Sequence, residues 1–211
     1  MTLEHEYALL GGINRAKIGR YIGIAAASIS AVIVLVILTV VDVAKALGWS
    51  PNLPPVVLSW VSAGAVYAVL YWLFDRHVWK LPWLSSVLRV PDLSGQWHCD
   101  GQTVNPDKTP GYLWQGTITI VQSWDRLRVR LKTKQSGSNS IAAALVHDQA
   151  DGFRLMYNYT NEPNIGEPEL AAHRGFADLT FCKDLQTAEG EYFNGHGRFT
   201  FGIMKLRRTH R

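Results

Sequence analysis

The sequence is poor in the residues that mark chemistry. It has two cysteines, Cys99 and Cys182, too few for a disulfide framework. Buried reduced thiols are the simpler reading, with pairing left to an oxidising compartment. Seven histidines fall at 5, 77, 98, 147, 173, 196 and 210 without metal-ligand spacing. There is no His-Glu-x-x-His, Cys-x-x-Cys or Gly-x-Ser-x-Gly, and no phosphate-cradling glycine loop. No catalytic residue, metal ligand or cofactor is therefore expected, and the chain does not read as an enzyme. Like charges never form runs, and no basic stripe accompanies the net charge of +4. That excludes a DNA or RNA duplex as the expected partner.

Charge itself is missing from two stretches. Tyr21 to Val41 carries none, and Ile22 to Val41 supplies a mostly apolar run that spans about 30 Å as a helix, the thickness of a bilayer core. Val56 to Phe74 is a second such run. Asp42 to Pro55 joins them, with Pro51, Pro54 and Pro55 blocking helix continuation. The pair predicts a transmembrane hairpin at residues 21–75, with spans of about 22–41 and 56–74. Arg15, Lys17 and Arg20 precede it; Arg76, Lys80 and Arg89 follow it. The loop between has only Lys45, offset by Asp42. The positive-inside rule then places both termini in the cytoplasm of a multi-pass inner-membrane protein. A cleaved leader is the competing reading, since Ala44-Lys45-Ala46 resembles a cleavage site, although the apolar run is too long for a leader core. Gly19, Gly23, Ala27 and Ala31 recur every fourth residue, a smooth face suited either to packing within the hairpin or to association with another copy.

Residues 1–20 form an N-terminal cytoplasmic segment, 76–90 a linker and 91–211 a β-rich domain. About eight strand-like segments follow one another: Gly95–Cys99, Tyr112–Gln122, Arg126–Thr133, Ser140–Val146, Phe153–Thr160, His173–Phe181, Glu189–Asn194 and Arg198–Arg207. Alternation is clearest where Leu127, Val129 and Leu131 interleave with Arg126, Arg128, Arg130 and Lys132. Asp151-Gly152, Ser136-Gly137 and Asn194-Gly195 mark tight turns. Eight locally connected strands predict an antiparallel up-and-down barrel, in which closure removes the edge strands. Leu93-Ser94-Gly95-Gln96-Trp97 is similar to the Gly-x-Trp opening of lipocalin-like barrels. There a tryptophan plugs the floor beside a terminal-strand arginine, here Arg207.

Two stretches suit ligand binding. Tyr157-Asn158-Tyr159-Thr160-Asn161-Glu162-Pro163 ends one strand, with both tyrosines on one side. Glu191-Tyr192-Phe193-Asn194-Gly195-His196-Gly197-Arg198 forms a hairpin tip. Aromatic rings stack on bases, asparagine reads base edges and an arginine forks onto phosphate. The candidate ligand residues are Tyr157, Tyr159, Asn161, Tyr192, Asn194 and Arg198. The plainer alternative is a filled barrel, with Tyr157, Tyr192 and Phe193 as packing and Arg198 paired to Glu191.

Together, two short apolar helices, Pro-Asp-Leu-Ser-Gly-x-Trp and the two tips resemble one bacterial family. It is the two-transmembrane β-barrel (STING-like β-barrel) effectors of CBASS antiphage systems. The resemblance implies that a cyclic dinucleotide, made by a partner nucleotidyltransferase, binds the cytoplasmic barrel and promotes self-association. The helices then disrupt the lipid bilayer of the inner membrane, and the infected cell dies. The family's arginine-bearing tip maps onto Arg198, with His196 where a second arginine is expected. A membrane-tethered, lipocalin-like carrier of an apolar ligand is the alternative; it needs an apolar interior throughout.

Overall fold

The computed structural model describes residues 4–49, 51, 54–150, 152–167, 170–195 and 198–210. The chain divides into two compact units, residues 13–79 and residues 1–12 with 80–211.

The first unit is helical. Helix α1 spans Arg15–Ala46, 32 residues and about 48 Å at helical rise. Asn14 caps it by accepting from the Ala16 amide at 2.8 Å, satisfying one of the orphan N–H groups of its first turn. Among the described helices α1 alone is long and apolar enough to cross a membrane. The second apolar run departs from the expected single helix. It forms α2, Pro55–Trp60, and α3, Ala63–Arg76, with Val61 and Ser62 between them. Ser62 turns the chain and caps α3 through the Ala65 amide. The break leaves the Val61 carbonyl without a helical donor, and Ser30 of α1 donates its hydroxyl to it. The buried stripe of α1 is Ile18, Ala26 and Ser30, so Gly19, Gly23, Ala27 and Ala31 lie beside that stripe. Gly19 approaches the Tyr67 hydroxyl, whereas Ala27 and Ala31 are exposed.

The second unit is a nine-stranded, mostly antiparallel sheet. Its strands are β1 His5–Leu10, β2 Gly95–Val104, β3 Pro110–Gln122, β4 Arg126–Thr133, β5 Ser136–Asp148, β6 Gly152–Pro163, β7 His173–Phe181, β8 Thr187–Asn194 and β9 Phe201–His210. β2 to β9 pair antiparallel in sequence order, β9 returns to β2, and the strand order closes into a ring. The eight expected segments correspond to these strands, although the last begins at Phe201 and not at Arg198. The ninth strand is the departure from a plain up-and-down arrangement. β4 and β5 pair directly only from Arg130–Asn139 to Lys132–Gly137. Beyond that they part, and β1 lies between them, antiparallel to β4 and parallel to β5 from Tyr7–Ala143 to Leu10–Val146. Where the strands part, the Val129 amide donates to the Ser140 hydroxyl at 2.9 Å, and His5 Nε2 meets that hydroxyl at 2.7 Å. The seam therefore leaves few backbone groups unpaired.

One end of the ring is packed solid. Trp97 is fully buried, meets Phe181 edge to face at 5.2 Å and donates its indole N–H to the Leu93 carbonyl. The arginine over Trp97 is Arg208, at 4.7 Å, and not Arg207. Met204 and Leu206 point inward on β9, so Arg208 shares their face while Arg207 points out towards Asp100. Arg208 also donates to the Asp92 and Ser94 carbonyls at 2.9 and 2.8 Å. Cys99 is buried and its thiol is pushed up to about 12, first by burial and then by the Asp100 charge. Cys182 is exposed, just past the end of β7, which corrects its expected burial; both thiols are free.

Arg208→Leu is expected to lower the unfolding free energy by about 2 kcal/mol, since it removes a cation–π contact and charge-assisted hydrogen bonds. Arg207→Leu, an exposed pair, should cost less than about 0.5 kcal/mol. Denaturant unfolding followed by tryptophan fluorescence checks this; equal losses would contradict the assignment.

Candidate ligand-binding site

The other end of the ring is hollow. Its rim is built by the connections β2–β3, β4–β5, β6–β7 and β8–β9. Inside lies a cavity of about 900 Å³, lined by all six residues selected from the sequence: Tyr157, Tyr159, Asn161, Tyr192, Asn194 and Arg198. Strand alternation explains why they converge. Tyr157, Tyr159 and Asn161 are successive inward positions of β6, and Tyr192 and Asn194 are the last two of β8. Each parity carries its side chains to one face. Glu191 and Phe193 are exposed on the opposite parity; no Glu191–Arg198 ion pair occurs among the described residues.

Glycines make room for the rings. Gly175 faces Tyr159 across β6 and β7, and a Cβ there would lie 2.4 Å from the tyrosine hydroxyl. Gly101 stands opposite Trp114, and a Cβ there would sit 2.1 Å from the indole. The indole of Trp114 meets Tyr192 edge to face at 5.6 Å and donates to its hydroxyl at 3.1 Å. Tyr192 thus keeps its own proton to donate. Tyr159 donates to Asn194 Oδ1 at 2.8 Å, and Asn194 Nδ2 donates to Thr200 at 2.7 Å.

Burial pushes the Tyr157, Tyr159 and Tyr192 hydroxyls above the usual phenol range. The Arg198 charge opposes this at Tyr159 and Tyr192 without overcoming it. All three therefore stay protonated near neutral pH and offer hydrogen-bond donors. Arg198 sits in the β8–β9 connection, its amide donating to the Gly195 carbonyl at 2.9 Å. Among the described residues its guanidinium has no acidic partner. His196 and Gly197 lie outside the described residues.

Deeper polar groups complete the wall. Asn161, Ser136, Ser138 and His173 are buried around the same cavity. Asn161 Nδ2 donates to Ser136 at 3.0 Å, and its Oδ1 has no partner among the described residues. His173 Nδ1 donates to the Ala171 carbonyl at 2.9 Å, which orients the ring. Among the described residues no group of three or more His, Cys, Asp or Glu is placed to hold a metal. Aromatic faces, neutral donors and a guanidinium together suit a planar organic anion. Sequence reasoning missed Trp114 and His173. Both were legible, because Gly116, Ile118 and Ile120 continue the inward parity of Trp114, and Ala177, Leu179 and Phe181 that of His173.

Fold and cavity together define a small-ligand receptor on a chain that also carries a long apolar helix. Residues 88–208 match the family described as Cap15, cyclic dinucleotide receptor domain, and residues 16–80 match Cap15, TM helices. The chain is also 43% identical over 205 residues to CD-NTase-associated protein 15 of Yersinia aleksiciae, covering 97% of each. The chain belongs to the Cap15 family, the CBASS-associated group its sequence resembles.

Proposed function

We propose that the ring is a cytoplasmic β-barrel sensor that binds one cyclic dinucleotide in its hollow end and drives a membrane-disrupting response. The observation that carries this is the convergence of three buried tyrosines, Trp114 and Arg198 on one cavity. Rings take base faces and the guanidinium takes phosphate. Ser136, Ser138, Asn161 and His173 make the wall too polar for an apolar cargo, which speaks against the lipid-carrier alternative. Among the described residues nothing in the cavity pairs a nucleophile with a base, which supports a sensor over an enzyme. The relative is named for its association with a CD-NTase, which supports a messenger made by a partner nucleotidyltransferase.

The membrane part of the reading rests on connectivity. β1 precedes α1 and shares a sheet with β2–β9, so the chain leaves the sheet and returns to it on one side of any bilayer. The number of crossings is then even. α1 supplies one span, and α2 with six residues and α3 with 14 supply the return. Cleavage after Ala46 would take β1 out of the sheet, which argues against a leader. With basic flanks at Arg15, Lys17, Arg20 and Arg76, both ends lie in the cytoplasm. Self-association brings the helical segments together through the exposed small positions Ala27 and Ala31.

Titration of the full chain in detergent with cyclic di-AMP, cyclic di-GMP and cyclic GMP–AMP tests the sensor. Arg198→Ala should weaken the tightest complex by about 1.5–3 kcal/mol, and Tyr192→Ala by about 1–3 kcal/mol. Unchanged affinity in folded variants would remove these residues from the site. For the membrane step, Gly23→Leu with Ala27→Leu should leave ligand affinity intact and block dye entry into cells making the messenger. Dye entry at the wild-type rate would show that this face plays no part in assembly.

A further inference from the structure

The β4–β5 turn and the β8–β9 connection stand on opposite walls of the rim. In the strand order, β3 and β2 separate them one way round and β6 and β7 the other. Each carries a cation that lines the cavity, Lys134 on the first and Arg198 on the second. Neither has an acidic partner among the described residues. The two acidic side chains of the lining are engaged elsewhere: Glu167 accepts from Gln135 at 3.0 Å, and Asp100 takes His98, Gln115 and Arg207.

Both cations sit on backbone that is tied down. Thr133 Oγ1 accepts the Gln135 and Ser136 amides, and Asn164 donates to the Lys134 carbonyl at 2.7 Å. Across the rim, Gly195 donates to the Arg174 carbonyl at 2.8 Å and Asn194 to that of Thr200 at 2.7 Å. Two positive charges on opposite walls of an aromatic cavity match a ring-shaped ligand with one anionic phosphodiester on each of two opposite edges. A ligand with a single phosphate would leave one of them unused.

We propose that Lys134 is the second phosphate-binding residue, bracketing a cyclic dinucleotide from the wall opposite Arg198. This rests on the reading that the cavity takes such a ligand. It also places the second cation on a different strand connection from the hairpin tip.

The test is titration of the full chain in detergent with cyclic di-AMP, cyclic di-GMP and cyclic GMP–AMP over a range of salt concentrations. Lys134→Gln should weaken the tightest complex by about tenfold and flatten its salt slope, as should Arg198→Gln. Lys134→Arg should restore both. Unfolding temperature serves as the control and should not move. Wild-type affinity in Lys134→Gln, or lost affinity with an unchanged salt slope, overturns the bracket while leaving the cavity reading in place. Failure of all three compounds to bind the wild type overturns the cavity reading and the bracket with it.

Discussion

The seam between β4 and β5 is the constraint on which the rest depends. Two antiparallel strands that part company expose rows of backbone donors and acceptors, and buried groups of that kind must find partners. Here β1 supplies them with four parallel pairs to β5 and two antiparallel pairs to β4, and Ser140 bridges the point of divergence. A strand from before the helices thereby becomes part of the sheet that follows them.

The two ends of the ring differ in what fills them. At one end Trp97, Phe181, Leu93, Leu155 and Leu179 are fully buried, and Arg208 closes the plug with carbonyl contacts. At the other, serines replace large apolar residues on β5, and glycines opposite Trp114 and Tyr159 let those rings lie flat along the wall. Removing side-chain volume leaves a cavity, and lining it with hydroxyl, amide and imidazole groups sets its ligand class. Burial keeps the tyrosines neutral, so the positive charge in the cavity comes from Arg198 and Lys134.

Much of this was legible before the structure, because strand alternation is a short-range signal. Leu127, Val129 and Leu131 announce β4, and the same parity brings Tyr157, Tyr159 and Asn161 inward together. What escaped was long-range or hidden by composition. β1 has six residues, and its partners lie more than a hundred positions away, where no local pattern points. The break at Val61–Ser62 is concealed because an apolar run looks the same whether it forms one helix or two. Arg207 and Arg208 are told apart only by parity, since Met204 and Leu206 set the inward face of β9. Lys134 depends on which connections share a rim, and that follows only from strand order.

The most direct test of the central claim is photo-crosslinking of the full chain with an azido-substituted cyclic dinucleotide, with adducts mapped by mass spectrometry. The account predicts adducts on the aromatic wall, at Tyr157, Tyr159, Tyr192 or Trp114, competed away by unlabelled ligand. Competed adducts confined to residues 13–79, or to outward-facing residues such as Phe193 and Glu191, would contradict it.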